Sequence, residues 1–156
     1  MMATDPTRVV ADADVLAADL LVGGDAREAL DVVREHSWLT LVASDPLLDD
    51  AEAVVASLAD ADLAADWRER VAALVERVEH PAGDHPALAS AARGGAAHVL
   101  TFDSDLTSAA ANAGVRSRVE TSVKQPAAFA ATFDAAALYE HAEDGEYPGP
   151  DRDPRG

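Results

Sequence analysis

The stretch HVLTFDSDL, residues 98–106, runs from an apolar segment straight into two aspartates separated by one serine. A short apolar run bounded by turn residues reads as a buried strand, and Asp103 marks where it stops. VVADADVL, residues 9–16, repeats the device, with Val9, Val10 and Ala11 leading into Asp12 and Asp14. Matched endings of this kind, ninety residues apart, raise one question. Asp is a good turn and cap residue and some will follow strands by chance, yet capping alone does not explain the matched endings.

Between these strands the apolar residues recur at helical spacing. Val15 to Val22 reads as an amphipathic helix stopped by Gly23–Gly24, and Asp25 then reads as the cap of a second helix running to His36. WLTLVA, 38–43, is a second strand. Ser44–Asp45–Pro46 opens a helix with proline in its first turn, carrying Leu47, Leu48, Ala51, Val54, Val55 and Leu58 inward. Trp67, Val71, Leu74 and Val75 predict a further helix over 63–78. After the break at His80–Gly83, ALASAAR forms a short helix that ends at Gly94–Gly95. The strand over 97–102 follows, then a helix to about Ala113, a polar edge strand over 115–119, and a last helix from Pro126 to about Glu140. The segment 143–156 is rich in Pro, Gly and charge, with nothing to bury, and reads as a disordered tail. Strands separated by helices imply one α/β domain, residues 1–142, with a parallel sheet of four to five strands flanked by helices. In such sheets ligands lie beyond the carboxyl ends of the strands.

Composition narrows the classes. The chain has 156 residues, 49% of them apolar, enough for one domain with a core. With Cys at 0, disulfides and thiolate metal sites are excluded. No apolar run reaches membrane-spanning length, and residues 1–12 lack the pattern of a signal peptide, so a cytoplasmic protein is expected. Asp and Glu number 29 against 12 Lys and Arg, a net charge of −17, and Lys124 is the sole lysine. An acidic, lysine-poor, alanine-rich chain is what a cytoplasm with molar salt selects, and a haloarchaeal source is expected. At ordinary salt such a charge opposes nucleic acid, because phosphate binding draws on Lys and Arg. At about 1 M salt the screening length is about 3 Å, so an RNA substrate stays open.

The acids converge on one rim from four places. Asp12 with Asp14 and Asp103 with Asp105 end strands. Asp50, with Asp49 as its rival, lies on the early turns of the helix after the second strand, and Asp84 precedes the helix that leads into the third. Crowded carboxylates repel one another, and a hard divalent ion removes that cost. Mg²⁺ or Mn²⁺ held by carboxylates suits phosphate chemistry, since it generates hydroxide and neutralises developing charge. Other roles fit some of these residues. Asp105 reads equally as the N-cap of a helix beginning at Leu106, Asp45 as a cap and Asp49 as a solvated residue. The five histidines show no metal-binding spacing. The Trp and Phe residues sit at core spacing, and no stacking platform is read into them.

These motifs, in this order, resemble the PIN-domain family of metal-dependent ribonucleases over roughly residues 8–140. VVADADVL resembles the family's first motif, SDPLLDD at 44–50 its second with Asp50 for the usual Glu, and GDHPALASA at 83–91 its third through Asp84. TFDSDL at 101–106 resembles the fourth, and VKQPAAFAATF the closing Pro-x-x-Phe helix. The resemblance implies a three-layer sandwich and endoribonuclease activity with Mg²⁺ or Mn²⁺. It places Asp12, Asp50, Asp84 and Asp103 as metal ligands and adds Asp105 to the catalytic set. It also makes an antitoxin-like protein partner and a homodimer plausible. Ala13, where the family often has a hydroxyl residue, and the shorter Asp50 depart from the pattern, leaving a degenerate, non-catalytic interaction module as the alternative. DADVL at 12–16 also resembles the nucleophile motif of haloacid-dehalogenase-type phosphatases, but Lys124 falls after the late acids, the wrong order for that chemistry.

Overall fold

The computed structural model describes residues 5–79, 86–104, 106–107, 122–143 and 145–152. Its elements are β1 (Asp5–Ala11), α1 (Ala13–Leu21), α2 (Gly24–Arg34), β2 (Thr40–Ser44), α3 (Asp45–Leu58), α4 (Ala61–Leu74) and β3 (Glu76–Val78). They continue as α5 (Pro86–Gly94), β4 (Ala96–Leu100), β5 (Ser122–Lys124), α6 (Pro126–Thr132) and α7 (Ala135–Ala142). The five strands form one parallel sheet in the order β3-β2-β1-β4-β5. The expected α/β domain with a parallel sheet and flanking helices is the architecture found.

The order of the strands positions everything that follows. From β1 the chain winds outward to β2 and β3, then returns to the other side of β1 to lay down β4 and β5. The connections therefore diverge between β1 and β4. At such a switch point the loops leave in opposite directions and open a crevice at the carboxyl edge. Val9 pairs with His98 and Ala11 with Leu100, so Asp12 and Asp103, just beyond the two strands, flank that crevice.

The central strands are near-continuous apolar runs because helices cover them on both faces. Val9, Val10, Val42, Val99 and Leu100 are fully buried, together with Leu30, Leu47, Leu48 and Phe129 from the helices. Truncating Phe129 to alanine would remove about 3–5 kcal/mol. Helix α5 crosses β2, β1 and β4 closely enough that a Cβ on Gly94 would meet Val42 Cγ1 at 2.6 Å. Gly95, at φ +64°, ends that helix in the left-handed conformation.

Three expectations shift. The helix expected over 63–78 stops at Leu74, and Glu76–Val78 becomes an edge strand pairing with β2. Val71, Val75 and Val78 keep a helical period on paper, but the open edge of β2 offers backbone partners that a longer helix would leave unpaired. The last helix divides at Phe133, where the Asp134 carboxylate accepts from Ala137 N–H at 3.0 Å and starts α7. The second helix begins at Gly24, with Asp25 in its first turn and no side-chain cap. The strand expected over 115–119 lies outside the described residues.

Residues 145–152 carry no helix or strand and lie against the turn between α2 and β2. His36, buried in that turn, has Nδ1 against Val32 O and Nε2 against the Tyr147 hydroxyl, both at 2.6 Å. Asp151 accepts from Ser37 N–H at 2.7 Å, and Arg152 donates to His36 O at 3.0 Å. Among the described residues no helix is long and apolar enough to cross a membrane.

Candidate active site at the carboxyl edge of the sheet

Asp12 is the first residue beyond β1. Its N–H continues the ladder by donating to Leu100 O at 2.8 Å, which locks it beside the end of β4. Its carboxylate is almost wholly buried, at 8% exposure, and serves two neighbours. Oδ1 accepts from Ala13 N–H at 2.8 Å, capping α1, and Oδ2 accepts from the Thr101 hydroxyl at 2.9 Å. A capped helix start alone would leave Oδ2 to solvent. Here the second oxygen reaches across the crevice to the next strand.

Thr101 in turn organises Asp103. Its Oγ1 accepts from Asp103 N–H at 3.0 Å, so one buried hydroxyl joins an acid from each D-x-D pair. Asp103 then turns the chain, its carbonyl accepting from Leu106 N–H and Thr107 N–H. The third acid is Asp14, on the first turn of α1. Its Oδ2 accepts from Phe102 N–H at 3.1 Å, while its Oδ1 is buried with no hydrogen-bond partner among the described residues. Burial chiefly raises the pKa of Asp14, the charge of Asp12 adds to it, and Asp103 contributes further, against lowering by the Phe102 and Val15 N–H groups. The charges of Asp12 and Asp103 thus both reach Asp14 at the carboxyl ends of β1 and β4.

The other expected residues stand differently. Asp50 lies on the exposed face of α3, whose buried side carries Leu47, Leu48, Ala51 and Val55. Its rival Asp49 is taken up by Arg68, at 2.6 Å, in a cluster that also holds Asp45 and Glu52. Asp49 therefore has a cation already. Asp84 and Asp105 lie outside the described residues. Ser44 caps α3 and, with Ser90, ties the start of α5 to the end of β2. Ser90 Oγ lies 3.0 Å from Ser44 Oγ, accepts from Ser44 N–H at 3.1 Å and donates to Pro86 O at 2.7 Å.

Two roles lie beyond the sequence reading: the Thr101 hydroxyl, to which no function is assigned there, and Asp14, which stands there only beside Asp12. The small hydroxyl residue two positions before Asp103 was the available signal. Phe102, expected at core spacing, is instead 40% exposed at the lip of the crevice. It lies beyond the last strand pair, where its apolar character does not bury it.

The donor set is all oxygen, which suits Mg²⁺ or Mn²⁺, and the orphaned Asp14 Oδ1 is an atom that a cation would satisfy. Among the described residues, no group of three His, Cys, Asp or Glu is arranged to hold a metal ion. Two hollows lie away from this crevice. One of about 510 Å³ is lined by Asp45, Pro46, Arg77, Val78 and Glu79, and one of about 170 Å³ lies by Arg34, Leu74 and Arg152.

A family model described as a family of unknown function (DUF7384) matches residues 3–155. No curated protein and no solved structure matches the chain.

Proposed function

The chain belongs to this family, DUF7384, and we propose that it is a metal-dependent endoribonuclease working at the crevice between β1 and β4. One observation carries the reading. A buried carboxylate oxygen of Asp14 has no hydrogen-bond donor among the described residues, and two further carboxylates press on the same group at the sheet's switch point. Such an arrangement costs stability unless positive charge is brought in. Asp12, Asp14 and Asp103 would contribute oxygens. Asp84 and Asp105 would complete the set, because the described residues, Asp50 among them, do not by themselves supply three for one ion. The order of the acidic motifs, similar to that of PIN-domain ribonucleases, supports the same assignment.

A bound Mg²⁺ or Mn²⁺ would supply an activated water and neutralise charge on the phosphate. The chain's own residues do the positioning. The sheet ladder fixes the backbone of Asp12, and Thr101 holds the Asp12 carboxylate and the backbone of Asp103. No side-chain nucleophile is required, since water attacks phosphorus and the 3′ or 5′ oxygen leaves with the proton it gains.

The test is RNA cleavage in molar KCl with Mn²⁺, comparing the natural chain with Asp12→Asn and Asp103→Asn. Loss of cleavage in both variants and on chelation is expected. Cleavage that survives chelation or either substitution overturns the mechanism. A chain that cleaves no RNA is the non-catalytic interaction module instead, and its partner would be an antitoxin-like protein or a second copy.

A further inference from the structure

The aromatic residues of this chain divide sharply. Trp38, Tyr139 and Tyr147 contact one another's rings or that of His36, and Phe129 and Phe133 stack at 4.8 Å with His98 edge-on to both. Trp67 is buried at 6% exposure. Among the described residues Phe102 and Trp67 have no ring neighbour, and of these two only Phe102 is exposed, the one aromatic among the large exposed apolar side chains described. It stands between Thr101 and Asp103, with its N–H fixed by Asp14 Oδ2 at 3.1 Å. The backbone of this exposed ring is therefore tied to the same carboxylates that form the candidate site.

We infer that Phe102 is a stacking platform for an unpaired base of the RNA, next to the phosphate that a cation at Asp12, Asp14 and Asp103 would hold. The inference rests on the ribonuclease reading. In a duplex the faces of the bases are occupied by their neighbours and offer nothing to a phenyl ring. An unstacked base has a free face, and stacking on an aromatic side chain tolerates any sequence. The charge of the chain adds a reason. At −17 it cannot hold RNA by general attraction to phosphate, and molar salt screens what attraction there is. Stacking is short-ranged and survives that screening. An apolar contact beside the acidic crevice gives the strand a hold that charge cannot give.

Phe102→Ala and Phe102→Trp separate this role from a structural one, and their melting temperatures should stay near that of the natural chain. Binding is read by fluorescence anisotropy of a labelled oligoribonucleotide in molar KCl, with Ca²⁺ replacing Mn²⁺ to suppress turnover. Three probes of one sequence are compared: the single strand, its duplex, and the single strand with abasic positions. Phe102→Ala should weaken single-strand binding roughly tenfold or more. Phe102→Trp should keep the affinity, with its indole emission quenched by the bases. Duplex and abasic strand should bind weakly, with no effect of either substitution. Equal affinity of the natural chain and Phe102→Ala, tight duplex binding, or no single-strand binding at all overturns the inference and makes the ring a protein-contact residue. Binding that needs Phe102 without cleavage in Mn²⁺ defeats only the ribonuclease reading. Cleavage with binding indifferent to Phe102 defeats only the stacking role.

Discussion

The Thr101 hydroxyl donates to Asp12 Oδ2 at 2.9 Å across the gap between β4 and β1. It simultaneously accepts from Asp103 N–H at 3.0 Å. A single buried oxygen thus sets the relative position of two acids drawn from opposite ends of the sequence.

Thr101→Val keeps the shape and removes the hydroxyl. The buried Asp12 carboxylate then loses a donor and Asp103 N–H an acceptor, at a cost of about 1–3 kcal/mol. A lower melting temperature is expected, with any RNA cleavage falling by more than stability alone explains. Thr101→Ser should recover most of both. A valine variant as stable and active as the natural chain would remove Thr101 from the site.

Asp14 is expected to destabilise the metal-free protein, because its ionised form is disfavoured by burial and by Asp12. Asp14→Asn should therefore raise the melting temperature by a few degrees in chelator. Added Mg²⁺ should stabilise the natural chain by preferential binding to the folded state, and stabilise Asp14→Asn less. Calorimetric scans with and without Mg²⁺ check both halves, and equal shifts in the two proteins would count against a bound ion.

His98 gives a pH signature. Burial, helped by the charge of Lys124, lowers its pKa from 6.5 to about 4. Above pH 6.5 the ring is uncharged whether the chain is folded or not, and it adds no pH dependence. As pH falls from 6.5 towards 4 the unfolded chain takes up a proton that the folded chain resists. Stability is lost across that window, on the order of 2 kcal/mol once screening at a part-exposed ring is allowed for. Denaturant titrations from pH 7 to 4 should show a shallower loss for His98→Phe than for the natural chain.

Ser90 ties the start of α5 to the end of β2 through contacts with Ser44 and Pro86 O. Ser90→Ala leaves the buried Ser44 N–H without its acceptor and should cost about 1–3 kcal/mol. Faster backbone hydrogen exchange at the start of α5, with β1 and β4 unchanged, is the expected signature; uniform change across the sheet would deny Ser90 that local role.

A contact at the far end of the chain is equally testable. Tyr147→Phe removes the hydroxyl that meets His36 Nε2 and should cost about 1 kcal/mol. Removing residues 145–156 should in addition uncover His36, and the emission of Trp38, whose ring meets His36 edge-on at 5.5 Å, should change. No change in emission would mean that the segment does not cover this turn in solution.

Much of this was open to reading from the residues in order. The apolar runs before Asp12 and Asp103, the Ser44–Pro46 helix start and the Gly94–Gly95 stop each depend on local chemistry, so they announce α/β alternation and the rim where the acids gather. Glu76–Val78 could not be read this way, because the reason it becomes a strand is the unsatisfied edge of β2, more than thirty residues earlier. Nor could the bond from Thr101 to Asp12, which exists only because β4 lies beside β1. The same holds for Phe102, whose spacing says core and whose position past the last strand pair leaves its ring open. Periodicity records what a segment prefers by itself. Which neighbour satisfies a backbone edge, a buried carboxylate or an apolar ring is settled when distant segments meet, and there tertiary structure alone decides.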